Sequence, residues 1–197
     1  YHDKSTWKQK AVFLSSINNG KSWSSPFAVA DDESGRIFNW DLRCGVDKSG
    51  RICSFAWTYD SHKEKFLNIH QRISVDAGQT WTKPKDLKIA DQASHPALSK
   101  DGKIILPWVD RFQSRSIKVR IANNLYSEFN NSSEITIFEQ TNKNSSKDNK
   151  LGKLLADMSI WNFGLPYADV LPSGKILVFY YAGNNKQMNL HWTRLTL

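Results

Sequence analysis

Cysteine is nearly absent from this chain, which has only Cys44 and Cys53. Two thiols are too few for a disulfide framework to stand in for a core. They flank the turn around Lys48 to Gly50, which predicts adjacent strands, a shared face and, without an export signal, free thiols. No apolar run approaches the roughly 20 residues of a membrane helix, and no signal peptide opens the sequence. Helical periodicity is missing over any useful length, which argues against an α-helical fold. Histidines are few (His2, His62, His70, His95, His191) and show no ligand spacing, so neither a metal nor another cofactor is expected. Acidic residues are also in deficit, 19 against 27 Lys and Arg, giving a formal charge of +8. Such a surface draws anions. Nucleic acid is not the expected partner, because no basic and aromatic stripe of a known kind accompanies the charge. Part of the charge sits in 141–153, an Asn-, Ser- and Lys-rich stretch that reads as a mobile insertion. Asn130, Asn131 and Asn144 lie in glycosylation sequons, and nothing fixes a compartment.

What is present is repetition. Ser16-Ile17-Asn18-Asn19-Gly20-Lys21-Ser22-Trp23 returns as Ser74-Val75-Asp76-Ala77-Gly78-Gln79-Thr80-Trp81. The Asn or Asp side chain can hydrogen-bond amides further on, and glycine supplies a positive φ, so each segment reads as a hairpin corner. The tryptophan is expected to fold back onto the apolar sheet. Three more turns share a pattern: Ser49-Gly50-Arg51-Ile52, Asp101-Gly102-Lys103-Ile104 and Ser173-Gly174-Lys175-Ile176. An apolar strand follows each one, then a polar loop and a further strand. The repeating unit is strand, Gly turn, strand, loop, strand, corner, strand. It predicts an all-β fold, a β-propeller of four-stranded antiparallel blades occupying residues 1–197 as one domain. Three units and part of a fourth are present, fewer than a closed ring of about four to eight blades. The chain therefore reads as part of a propeller, whose end strands invite pairing with a missing half or with a second copy.

In such a blade the Gly turns and the eight-residue corners share one end, which places the longer and chemically richer loops at the other. Candidate ligand-binding residues there are Asp41, Arg43, Trp57, His95, Arg111, Trp161 and Tyr167, and candidate catalytic residues are Asp60, Asp110, Tyr180 and Tyr181. Indoles stack on sugar faces, arginine grips a carboxylate in a fork, and acids move protons. Each also has a structural reading. Asp41 and Arg43 are two apart and can pair with each other. Asp110 and Arg111 point oppositely, so one at most enters a pocket. His95 can be a satisfied histidine at a strand entry, and Trp57 and Trp161 can be core. Tyr180 and Tyr181 alternate, one packing while the other faces the centre.

The eight-residue corners, together with Trp40-Asp41-Leu42-Arg43, Phe55-Ala56-Trp57-Thr58-Tyr59-Asp60, Trp108-Val109-Asp110-Arg111 and Phe163-Gly164-Leu165-Pro166, resemble the Asp-box (BNR) proteins of the sialidase superfamily. The resemblance implies a six-bladed propeller and an exo-acting glycoside hydrolase, in which arginines hold the sugar carboxylate, a tyrosine is the nucleophile and an aspartate the acid/base. It further implies a glycan substrate, with Arg43, Arg111 or Arg120 as carboxylate contacts and Tyr180, Tyr181 or Tyr167 as nucleophile. The Phe/Tyr-Arg-Ile-Pro segment that carries the first arginine in that superfamily is absent. Two other readings stay open: hydrolysis between two carboxylates such as Asp60 and Asp110, and a propeller that binds glycans without cleaving them.

Overall fold

The computed structural model describes residues 8–141, 161–184 and 186–196. Most of the Asn- and Lys-rich stretch falls outside them. Among the described residues there are strands and one short 3-10 turn, Asn131–Ser133, with Asn130 as its cap. The chain begins with β1 (Lys10–Phe13) and β2 (Phe27–Asp31), an antiparallel pair. The first complete blade follows, with β3 (Ile37–Val46), β4 (Ile52–Asp60), β6 (Asn68–Ser74) and β7 (Lys85–Ala90) in that spatial order and a short β5 (Lys65–Phe66) attached to β4. The second blade runs from β8 (Gln92–Ala93) and β9 (Ala97–Leu98) through β10 (Ile104–Asp110) and β11 (Ser116–Ala122) to β12 (Ile135–Glu139). Last come β13 (Phe163–Val170), β14 (Ile176–Gly183) and β15 (Met188–Leu195). All pairings within these sheets are antiparallel.

The turn chemistry accounts for the repetition. In the three Gly turns the glycine N–H donates to the carbonyl three residues back, from Gly50 to Asp47, Gly102 to Ser99 and Gly174 to Leu171. Their φ angles of 76°, 91° and 82° are the left-handed values that glycine reaches without strain. The two eight-residue corners share one bonding scheme as well. Asn18 Oδ1 accepts from Ser22 N at 2.9 Å, and Asp76 Oδ1 from Thr80 N at 2.9 Å. Ser16 and Ser74 Oγ accept from Gly20 and Gly78 N at 2.8 Å. The tryptophans are not equivalent. Trp81 donates its indole N–H to Gly78 O and meets Phe13 edge to face, whereas Trp23 stands 62% exposed, so only one corner lays its indole on the sheet.

A second expectation also changes. The β3 and β4 register sets Cys44 against Ser54 and Cys53 against Gly45. The thiols therefore lie on opposite faces, because directly opposed residues share a face and residues one register step apart do not. Both are free. Burial pushes Cys44 up to about 11 and Cys53 to about 12, which leaves them as inert thiols.

The core lies between blades. Phe55, Ile69, Ile73 and Leu87 of the first blade pack on Ile104, Leu106 and Trp108 of the second. Ile105 and Val119 of the second pack on Ala168, Ile176 and Val178 of the last sheet. Interlocking blades in this way sets the first strands of successive sheets side by side, and these strands carry the site.

Candidate functional site

Three positions in the inner strands are equivalent. Arg43, His95 and Tyr167 each stand three residues before the strand end that pairs across a Gly turn (Val46 with Ile52, Leu98 with Ile104, Val170 with Ile176). Each inner strand is irregular at this point. The ladder slips between Trp40 and Arg43, with Asp41 at φ 47°, and between Gly164 and Tyr167, with Leu165 at φ 45°. In the second blade the strand is broken outright between Ala93 and Ala97. A bulge re-aims the side chains beside it. Here the irregularities bring Arg43, Ser94, His95, Leu165, Pro166 and Tyr167 around one cleft of about 190 Å³.

The cleft floor is rigid. His95 O accepts from Ala168 N at 3.1 Å, and the His95 and Tyr167 rings stack at 3.9 Å with 8° between their planes. Tyr167 remains 48% exposed, which offers a flat aromatic surface to a ligand. Burial, then the nearby Arg43 cation, holds the His95 imidazole below its ordinary pKa, so it is neutral at pH 7. Arg43 reaches Asp41 at 3.6 Å, with both side chains more than a third exposed. Such a pair is weak in water and can open to another anion.

Behind the cleft a polar chain crosses all three sheets. Gln92 Nε2 donates to Asp41 Oδ2, and Gln92 Oε1 accepts from Arg111 Nε at 2.8 Å. Arg111 Nη1 donates to Phe163 O at 2.9 Å, its guanidinium lies 4.3 Å over the Trp161 ring, and it bonds to the Tyr181 side chain. Arg111 is 1% exposed. Burial lowers its pKa, but an arginine starts so high that it stays cationic. Gly164 makes room for it, since a Cβ there would meet Arg111 Nη2 at 2.5 Å. Asp91, which sequence reasoning did not single out, accepts from Arg111 N at 2.5 Å through Oδ2, while its buried Oδ1 has no partner. Burial drives its carboxyl up to about 8. The Asp91-Gln92 dipeptide preceding a broken strand was the only trace of this in the sequence.

The other candidates are placed elsewhere. Asp60 is buried and forked by Arg36 through both carboxylate oxygens, which holds it far below the ordinary carboxylate pKa. Asp110 is buried too and accepts from Gln113 N at 2.9 Å and Ser114 Oγ at 2.6 Å, closing its own loop. Trp57 is 2% exposed and stacks on Phe66 at 4.3 Å in an aromatic cluster with Trp40, Tyr59 and Phe112. Tyr180 packs against Phe138 and His191 with its hydroxyl on Ile137 O, and its neighbour Tyr181 turns toward Arg111. Arg120 is spent on Glu134. No group of His, Cys, Asp and Glu able to hold a metal ion occurs among the described residues. Among the described residues no helix is long and apolar enough to cross a membrane.

No protein-family model matches the sequence, and no curated protein matches it. Solved structures do. A protein of unknown function from Dyadobacter fermentans superposes with a TM-score of 0.72 at 20% identity, over 98% of this chain and 47% of its own. The intramolecular trans-sialidase of Ruminococcus gnavus, solved with oseltamivir carboxylate, gives 0.56 at 15%, over 94% of this chain and 38% of its own. The α-L-arabinanase of Penicillium chrysogenum, solved with arabinobiose, gives 0.53 at 18%, over 93% and 54%. The fold is that of a sialidase-like β-propeller. At these identities the likeness concerns the fold, and the chain spans about half of these structures or less.

Proposed function

We propose that this chain carries part of the substrate site of an exo-acting glycoside hydrolase that removes a terminal, acidic sugar from a glycan. The two eight-residue corners are, in this reading, Asp boxes that only build turns. The observation behind it is the cleft lined by Arg43, His95 and Tyr167 from equivalent positions of three successive sheets, on a fold shared with sialidases and an arabinanase. Arg43 would exchange Asp41 for the sugar carboxylate. The His95 and Tyr167 stack would take the apolar sugar face, and Trp161 would shield Arg111 from water. Of the four catalytic candidates Tyr181 suits the role of nucleophile, because its hydroxyl lies beside Gly164 and Arg111 and is not tied up in a turn or a carboxylate pair. Tyr180, Asp60 and Asp110 are committed to packing or to turns, so a pair of carboxylates flanking the bond draws no support from them. Asp41 is then the exposed carboxylate available as acid/base.

A propeller that binds glycans without cleaving them is the second reading, favoured by the engagement of Asp60 and Asp110 in structural bonds. A fluorogenic panel of a sialoside and of neutral and uronic glycosides distinguishes the two. Turnover of an acidic glycoside that Arg43→Ala and Tyr181→Phe abolish, with folding intact, supports the hydrolase. Glycan binding without turnover of any member replaces it with the binding module.

A further inference from the structure

Arg72 is a buried cation without an anion. It lies on β6, is 8% exposed, and has a single bond, from Nη1 to the neutral Asn39 Oδ1 at 3.2 Å. Burial alone lowers its pKa, with no carboxylate near enough to raise it. Among the described buried arginines, Arg120 pairs with Glu134 and Arg111 bonds to several acceptors. An unpaired guanidinium out of water costs several kcal/mol, so buried charges are ordinarily matched.

Two more orphaned groups stand beside it. Ser54 is directly opposite Arg72 across the β4 and β6 ladder, and His70 is two residues along the same strand, so all three side chains share one face. Ser54 Oγ and His70 Nδ1 are buried with no hydrogen-bond partner. Asp86 pairs with His70 in register but spends its carboxylate on Lys88 and Asn68. A guanidinium, a hydroxyl and an imidazole nitrogen can all donate, and among the described residues only Asn39 accepts from any of them.

We propose that this face of the first complete blade binds one small monovalent anion of the halide type, held by Arg72, Ser54 Oγ and His70 Nδ1–H. The site is independent of the cleft and of the activity proposed for it. The anion supplies the charge that Arg72 lacks and fixes the neutral His70 as its Nδ1–H tautomer.

Thermal melting in sodium chloride against sodium gluconate at equal ionic strength tests this, with a bromide-soaked crystal as the direct view. Gluconate is too large for a space between two opposed side chains. The melting temperature should rise with chloride and stay flat in gluconate, and anomalous density for bromide should lie between Arg72 and Ser54. Ser54→Ala should weaken the chloride dependence by about tenfold, since it removes a hydrogen bond to a charged group. Arg72→Met should abolish it. Equal responses to both salts, or density at that point without an anomalous signal, would mean that ordered water fills the site and would overturn the proposal. If Arg72→Met does not fold, the Ser54→Ala titration and the anomalous map still decide.

Discussion

The two faces of the first complete blade are built from different chemistry. One presents Cys53, Phe55, Ile69 and Ile73 to the second blade and forms the largest apolar cluster among the described residues. The other presents Ser54, Thr58, Asn39, His70 and Arg72 toward β1, where Gln9 bonds to Asn39 through both its amide atoms. All nine residues of β4 are buried regardless of face. Alternation of large apolar and small polar residues along a strand usually marks a sheet wet on one side. Here both sides are dry, so burial of the polar side has to be offset bond by bond. One seam tolerates imprecise contact and the other does not.

The contrast can be broken most forcefully at Arg111, the same kind of buried cation but held by several acceptors. Arg111→Ala should cost about 3–5 kcal/mol in a denaturant melt, because Gln92, Phe163 O and Tyr181 lose their partner together. On the apolar face, Phe55→Ala should cost about the same, roughly 3–5 kcal/mol, from lost transfer energy and the cavity left behind. Arg72→Met on the polar face should differ in sign from Arg111→Ala. Replacing an unmatched buried charge by an apolar side chain is neutral or stabilising at low salt, by about 1–4 kcal/mol. A loss of stability equal to that of Arg111→Ala would erase the distinction between the faces.

Acid sharpens the comparison further. His70 and His95 both have folded pKa values below the ordinary 6.5, chiefly through burial. A lowered imidazole pKa means that the unfolded chain binds the proton more readily. Their contribution is therefore present above pH 6.5 and is lost as pH falls through that value toward the folded ones. Below that, near pH 4 and under, Asp60 gives up the stability it draws from Arg36. His70→Leu should flatten the upper step, and a variant whose melting profile runs parallel to the parent's between pH 7 and 5 would refute it. Asp91 runs the other way, since its raised pKa makes stability decline as pH rises toward 8. Asp91→Asn should be the mildest change at neutral pH, because the amide oxygen still accepts from Arg111 N and carries no charge at any pH.

Much of the fold was legible because turn chemistry repeats. Gly50, Gly102 and Gly174 occupy the same left-handed corner, and Asn18 and Asp76 make the same bonds. Less of the site was readable. Sequence parity told Tyr180 and Tyr181 apart as opposite-facing but not which one packs, since that depends on Phe138 and Ile137 from another sheet. Asp60 looked catalytic until Arg36, 24 residues away in the chain, claimed it. Nothing in the sequence sets Arg72 and Ser54 apart from other polar strand residues, although both are buried. Cys44 and Cys53 were misplaced by one residue of register, the step that moves a side chain to the opposite face.

Because Arg43, His95 and Tyr167 occupy the same slot of successive repeats, the lining of this cleft is modular. A substitution at any one of these positions changes the side chain that lines the cleft, while the Gly turn three residues on stays outside the change. The scaffold thus offers a cation, an imidazole and a phenol in fixed slots whose contents can change with no loop to rebuild, although the imidazole and the phenol, stacked on each other, change together.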